Sequence, residues 1–456
     1  VGYSIAETLH RLVKQAIDSG EAASVEEAQA LFANYKLRIE IDAQWAREPI
    51  QQAVLLTAIA LGRRVFLGGV DVAGEIDVPL LTPLRAEATL AAAVAALGAR
   101  VVSTDPACTI PVLWIGPRKV RRAGFAVRTI VAGWRGGIVP LDCDVDLGCG
   151  TGMPLAAMLA AGLAINEVFL HVSSKMPAAG RRIVGMSLWQ PDASGDWLQS
   201  QSDGPVLRYL PSKLWLIGLG HLGQAYLWGL GLLPYERTDS LTLVLQDVDT
   251  ITPSSESTSV LSNCDNLGGR KTRAMAAWAE SRGFSTSISE RLFAADFRRQ
   301  ADEPAVALCG LDNALGRQAL DQVGFDLIVE AGLGRGHQDF RRIRLHTLPG
   351  RRGAAELWPI RPEKGPEKTQ PAYSRLRDEG VLDRCGMTLL AGKAVGAPFV
   401  GAVAASLALS EILRLLHGSR VHQVIDVDML ALEERVACQN PRDFSTFNPG
   451  FVGVSV

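Results

Sequence analysis

At 456 residues the chain is too long for one ordinary core and suits two or three domains. Hydrophobic residues make up 48 % and the formal charge is -2, which excludes a largely disordered chain and any bulk attraction to nucleic acid or anionic membrane. Seven cysteines without paired spacing point to a reducing compartment, the cytoplasm.

The opening run VGYSIAETLHRLVKQ has helical periodicity and an acidic residue, unlike a signal peptide. Residues 1–48 read as one or two amphipathic helices, with Ser24 and Glu27 spaced as a capping box. Over residues 49–195 strand and helix alternate. RVFLGGV and RVVST read as strands around the helix EATLAAAVAALGA, followed by strands VLWIG and FAVRTIVAGW and the long helix PLAAMLAAGLAINEVFLHV. The polar run PDASGDWLQSQSDG, residues 191–204, marks a turn-rich boundary.

A second alternating region spans residues 205–438, with strands expected at LWLIG, LTLVLQDVD, VALCG, DLIVEAGLG, RIRLHTL and VHQVIDVDM. Within it, residues 362–385 are charged and proline-bearing, a crossover loop or lid, and residues 398–418 form a very apolar helix. Residues 439–456 read as an irregular C-terminal tail. No run is a clean membrane span, because Gly, Arg or Glu interrupts each one. The two long helices share a form, with Glu167 and Glu411 in similar places. That points to a degenerate internal duplication; the plainer alternative is that Ala-rich buried helices look alike.

The chemistry gathers in the second region. Gly218, Gly220 and Gly223 follow an apolar strand and open a helix. Glycines so spaced allow the tight turn, the approach of phosphate to backbone, and close helix–sheet packing, with the helix N-terminus facing the anion. Asp247 and Asp249 end the next strand, where an acid can hold ribose hydroxyls. Their i,i+2 spacing puts both on one face. Lys271 opens a later helix and reads either as a phosphate contact or as a solvated surface lysine. Asp312 lies just past the strand VALCG, where a carboxylate can hold magnesium against phosphate oxygens or cap the following helix.

Together these residues resemble the ThiF/MoeB/ubiquitin-activating-enzyme superfamily, which adenylates the C-terminal glycine of a ubiquitin-like protein or sulfur carrier. The resemblance covers residues 214–416, with a fainter echo over residues 65–172. It implies an α/β architecture of tandem Rossmann-like adenylation folds, the first degenerate, behind N-terminal helices. It makes Gly218, Gly220 and Gly223 the family's glycine turn and Asp247 and Asp249 its Asp-x-Asp pair. Lys271 becomes the nucleotide-contacting lysine and Asp312 the magnesium-associated aspartate. ATP and Mg2+ are the implied cofactors. No structural zinc is expected, since the family's two Cys-x-x-Cys pairs are missing. The implied partners are a ubiquitin-like protein ending in glycine and an E2-like conjugating enzyme, with homodimerisation open. The layout resembles bacterial activating enzymes of ubiquitin-like conjugation and antiphage defence operons (Bil-type).

One departure matters: Thr258 stands where the family has an arginine that supports the triphosphate. Arg270, Arg273, another domain or another chain are the candidate substitutes. The first half shows no evident Asp-x-Asp, lysine or LDN equivalent, and offers Arg63, Arg64 and Arg135 as phosphate contacts. Cys385, beside Arg384 and at the end of the charged loop, is the candidate thioester nucleophile, against a partly buried structural thiol. Cys309 on its apolar strand reads as core. Three rivals are a sulfur-carrier adenylyltransferase, a non-catalytic scaffold and an NAD-dependent oxidoreductase. The last needs the glycine turn and the strand-end acid, but not Lys271, Asp312 and Cys385 together.

Overall fold

The computed structural model describes residues 3–105, 108–120, 124–147, 152–193, 195–359, 371–378, 390 and 392–455. Three short helices come first: α1 (Ile5–Thr8), α2 (Val13–Asp18) and α3 (Val25–Ala33). In α3 the Ser24 side chain caps the helix by accepting from Glu27 N, but Glu27 accepts from Ala23 N and not from Ser24 N, so only half of the expected capping box forms.

The first sheet is built from β1 (Leu37–Ile41), α4 (Pro49–Gly62), β2 (Val70–Ala73), α5 (Leu90–Ala96), β3 (Arg100–Val101), β4 (Val112–Ile115), β5 (Ala126–Ala132), β6 (Arg135–Pro140), α6 (Pro154–Val172) and β7 (Val184–Ser187). Its strand order is β3-β2-β1-β4-β5-β6-β7, parallel through β5 and antiparallel beyond.

The second half runs β8 (Tyr209–Pro211), β9 (Lys213–Ile217), α7 (His221–Leu232), β10 (Thr242–Gln246), α8 (Pro253–Glu256), α9 (Lys271–Ser281), β11 (Ser285–Ser289), β12 (Val306–Cys309), α10 (Ala314–Gln318), β13 (Leu327–Leu333), β14 (Arg342–Leu348), α11 (Ala354–Leu357), α12 (Pro371–Asp378), α13 (Pro398–Leu416), β15 (His422–Asp428), β16 (Val436–Gln439) and β17 (Phe451–Gly453). Its sheet order, β11-β10-β9-β12-β13-β14-β15-β16, repeats the seven strands of the first sheet, switches to antiparallel at the same step and adds β16 at the edge.

The two halves share one core. Helix α4 packs on α6, α6 on α13, and α13 on α7, so a layer of helices joins the two sheets. Phe169 of α6 meets Phe399 of α13 at 6.1 Å between ring centroids, and Trp228 Nε1 of α7 donates to Thr57 Oγ1 of α4 at 3.0 Å. Both 19-residue helices α6 and α13 are long and apolar enough to cross a membrane, but each is almost wholly buried against the rest of the fold. Their apolarity serves packing on all sides, where each buried Leu or Val contributes about 1.5–3 kcal/mol. Glu167 and Glu411 occupy the same turn of their helices and do the same work. Glu167 accepts from Gly180 N and Arg182, Glu411 from His422 N and its ring, so each buried carboxylate fixes the chain leading into the next strand.

Several expectations need correction. The stretch read as purely helical to residue 48 ends in β1, an inner strand of the first sheet, buried along its length. Its charges hid it: Arg38 Nε and Glu40 Oε1 pair at 2.9 Å inside the fold, and Arg38 also donates to Ser103 O. RVFLGGV is not a strand; it closes α4 and turns, and the strand is Val70–Ala73. The tail is not irregular throughout, because β17 pairs antiparallel with β8, a partner that local pattern cannot supply.

Candidate functional site

Strand β9 ends at Ile217, and the chain turns through Gly218, whose φ is +84. A side chain there would be strained, and a Cβ at Gly223 would lie 2.1 Å from Gly218 O. Nothing stands within 4 Å of the Cβ position at Gly220, so the turn is open on that side. Gly218 N donates to Gln246 O, and Leu219 N donates to Asp247 Oδ2 at 2.7 Å. The acid at the end of β10 therefore holds the glycine turn in place.

Asp249 N donates to Asp247 Oδ1 at 2.8 Å, and Lys271 N donates to Asp249 O at 3.0 Å. Lys271 Nζ lies 2.8 Å from Asp249 Oδ2 and 3.8 Å from Asp247 Oδ2. The lysine side chain is only 12 % exposed, which decides against the solvated reading; Asp249 at 66 % is the solvent-facing partner. Asp312 is exposed beyond β12, while the neighbouring Asn313 caps α10 by accepting from Gly316 N at 2.7 Å. Capping and a free carboxylate thus fall to different residues.

These groups line one cavity of about 590 Å³. It takes in Gly218, Gly220, Asp247, Asp249, Lys271 and Asp312, with Gly223 packed beneath. Cys385 and most of residues 362–385 lie outside the described residues. A larger cavity of about 810 Å³ in the first half, edged by Phe125, His171 and Arg181, has neither a glycine turn nor an acid pair.

The cavity also gathers cations that sequence reasoning missed, Arg11, Arg317 and Arg335, and Lys393, which the sequence offered only as charge near Cys385. Arg11, from the segment between α1 and α2, donates through its backbone to Ser257 Oγ at 3.1 Å and through Nη1 to Ala394 O at 3.1 Å. Burial lowers its pKa, and the facing charge of Asp312 opposes that shift. A Cβ at Gly396 would meet Thr258 Cγ2 at 3.0 Å and Arg11 Cβ at 4.0 Å, so Arg11 arrives beside the threonine that replaces the expected arginine. No local signal marks it, because the contact is made entirely by tertiary packing. Lys393 is also lowered, first by burial and next by Arg11.

The substitutes named from sequence are otherwise engaged. Arg273 pairs with Glu290 at 2.9 Å and Arg270 donates to Val248 O; neither lines the cavity. Arg135 pairs with Asp203, and Arg63 with Glu256 at 2.8 Å. Arg64 binds backbone carbonyls rather than facing open space. Cys309 is core as expected, with burial pushing its thiol up to about 12. Among the described residues no group of three or more His, Cys, Asp or Glu could hold a metal.

Pairing register shows what the first half keeps. Ile41 faces Ile115 as Ile217 faces Cys309, and Glu40 faces Ala73 as Leu216 faces Leu245. Counting onward, Glu75 and Asp77 stand where Asp247 and Asp249 stand, so the first half does retain an acid-x-acid pair. Beyond the strands the halves diverge: a short turn, Trp45–Arg47, precedes α4, which opens only at Pro49, whereas α7 opens at His221 directly after the glycine turn; Arg118 lies three residues past β4, as Asp312 lies three past β12.

A family model described as "BilD C-terminal domain" matches residues 210–419, and one described as "BilD N-terminal domain" matches residues 36–188. The chain is 46 % identical over 430 residues to "Bacterial E1-like protein BilD" of Collimonas sp. (strain OK412), covering 94 % of this chain and 92 % of that protein. Among solved structures, E. coli MccB superposes with a TM-score of 0.36 at 13 % identity, over 70 % of this chain and 96 % of that one. PaaA gives a TM-score of 0.33 at 11 % identity, over 61 % of this chain and 71 % of that one. Those superpositions are loose, and the assignment rests on the sequence matches.

Proposed function

This chain belongs to the BilD family of bacterial E1-like proteins, and from that premise we propose that its second half adenylates the C-terminal glycine of a ubiquitin-like protein. The carrying observation is the convergence of the glycine turn, Asp249, Lys271 and Asp312 on one cavity. A carboxylate oxygen of the glycine attacks the α-phosphorus of ATP, the new C–O–P bond forms, and pyrophosphate leaves with the electron pair of the broken P–O bond. Backbone N–H groups at the start of α7 face the phosphates, and Asp249 takes the ribose hydroxyls. Lys271 exchanges its carboxylate partners for phosphate oxygens, while Arg11 supplies the charge that Thr258 cannot. Arg335 and Lys393, which also line the cavity, add positive charge that attracts an anionic peptide terminus.

Magnesium fits the donor set. It is commonly held by one or two carboxylates with phosphate and water completing the shell, and Asp312 is one exposed carboxylate facing the cavity. When bound it neutralises charge building on the leaving pyrophosphate. Cys385 then attacks the acyl adenylate as thiolate, AMP departs, and the thioester passes to the cysteine of an E2-like conjugating enzyme.

The test is intact mass after incubation with ATP, magnesium and a Gly-ended ubiquitin-like partner. The expected result is a reductant-sensitive adduct, lost in Cys385→Ala with pyrophosphate release retained. Pyrophosphate release without an adduct removes the thioester step. Absence of both the adduct and pyrophosphate release removes the activating-enzyme reading for that partner.

A further inference from the structure

Arg64 belongs to the first half, is only 4 % exposed, and reaches into the second. Its Nη1 donates to Ala60 O at 2.8 Å, at the end of its own helix. Its Nε donates to Glu256 O at 2.8 Å, and its Nη2 to Val260 O at 3.0 Å and Ser262 O at 2.8 Å. Three of the four acceptors therefore lie on one stretch of the second half, residues 256–262. The same stretch and the residues before it form a wall of the cavity through Ser254, Ser255, Thr258 and Ser259.

That wall is made of short hydroxyl side chains, which cannot span to a distant anchor of their own. Gln224 of α7 holds its far end by accepting from Leu261 N at 2.9 Å. The Glu256, Val260 and Ser262 carbonyls are held by a planar guanidinium, whose fixed fork can serve several acceptors at once. Each is a charge-assisted bond in a dry setting, the kind whose loss leaves buried carbonyls unpaired.

We infer that Arg64 is a positioning residue for the nucleotide site: the half that has lost its own site holds the wall of the working one. The inference rests on the reading of that cavity as the ATP site, and it gives the degenerate half a definite task beyond filling a pseudo-symmetric interface.

The test uses the full chain as wild type, Arg64→Ala and Arg64→Lys. Two quantities are read: KM and kcat for ATP in pyrophosphate exchange, and hydrogen exchange across residues 253–262, which needs no ligand. Arg64→Ala should raise KM for ATP about tenfold or more with a smaller change in kcat. Added guanidinium ion should recover part of the loss. Arg64→Lys, a point charge on a shorter reach, should stay several-fold weaker than wild type. Both variants should exchange faster over 253–262 than over β9 and β12. If Arg64→Ala does not fold, Arg64→Lys decides. Unchanged KM and unchanged protection would overturn the inference, as would a fall in kcat alone with no rescue by guanidinium. A wild-type chain that binds no ATP would instead sink the adenylation reading, while the exchange data would still report on Arg64.

Discussion

The two halves have the same strand order, the same switch from parallel to antiparallel pairing, and the same buried glutamate late in the long helix. They differ at the carboxyl ends of the central strands, where open α/β sheets bind ligands. In the second half a glycine turn leaves room, and Asp312 faces the cavity. In the first, a short turn carrying the buried Trp45 and Arg47 stands between β1 and α4 in place of a glycine turn, and Arg118 lies as far past β4 as Asp312 does past β12, with the opposite charge. Only the acid pair survives, as Glu75 and Asp77. A fold tolerates the loss of its site as long as helix packing is kept, because site and core use different residues.

The sharpest way to break this contrast is to exchange charge at register-equivalent positions. Asp312→Asn should lower pyrophosphate exchange by about a hundredfold or more, the scale of losing one preorganised electrostatic group. Arg118→Ala, at the matching place in the first half, should leave the rate within about twofold. Equal losses would mean that both halves take part in the chemistry.

Acid sharpens the comparison next. His221, in the glycine turn, is pulled down to about 4 by burial, an effect opposed by contacts with the Pro398 and Ala397 backbone and reinforced by Arg11. His10 is likewise depressed to about 4 by burial. Both are neutral in the fold, so the unfolded chain takes up the protons first as pH falls. Their contribution is complete above the ordinary histidine value near 6.5 and is lost progressively down to about 4, at most about 3 kcal/mol each. The turn between β1 and α4 carries no histidine. Protection against hydrogen exchange, corrected for the intrinsic pH dependence of exchange, should therefore fall at α7 and the start of α13 between pH 6.5 and 4 before it falls at β1 and β2. Uniform loosening of both halves would contradict it.

How much of this was legible beforehand follows from where each signal is local. Strands LWLIG and VALCG could be read because an apolar run ends in glycine, and the glycine turn and Asp312 lie at those ends; the acid pair closes the next strand and Lys271 opens a helix. β1 could not, since Arg38 and Glu40 satisfy each other inside the sheet and imitate a polar face. With β2 placed too early, Glu75 and Asp77 no longer sat at a strand end, and the surviving acid pair went unseen. Arg11 carries no motif at all; three-dimensional packing alone brings it to Thr258. The sequence also put Arg64 among possible phosphate ligands, because an arginine bound to carbonyls looks the same on paper as one awaiting an anion.

A smaller effect tests why the second half needs a glycine in its long helix. Gly401 is the fourth residue of α13, and the fourth residue of α6 is Ala157. A Cβ at Gly401 would fall 2.4 Å from His221 Nε2 and 2.5 Å from Cδ2 of the same ring. The imidazole of the glycine turn is seated directly on the helix backbone. Gly401→Ala should push His221 aside, lower stability by about 1–3 kcal/mol as overpacking does, and weaken ATP binding several-fold through the displaced turn. Because α13 favours alanine intrinsically, the double variant Gly401→Ala with His221→Ala should recover most of the lost stability. If the single variant is as stable as wild type, the turn is not seated on α13.

The smallest effect should come from the most visible contact between the halves. Arg63 and Glu256 form an ion pair at 2.8 Å, with side chains 29 % and 32 % exposed. Water screens such a pair, so Arg63→Ala should cost less than about 1 kcal/mol and leave KM for ATP within about twofold. Arg64, one residue on and buried, makes its bonds where no water can replace them. A neighbouring pair of arginines with one weak and one strong effect on KM would show that burial of the bonded carbonyls, and not charge between the halves, carries the coupling. Equal effects would assign it to electrostatics, and added salt would then weaken both alike.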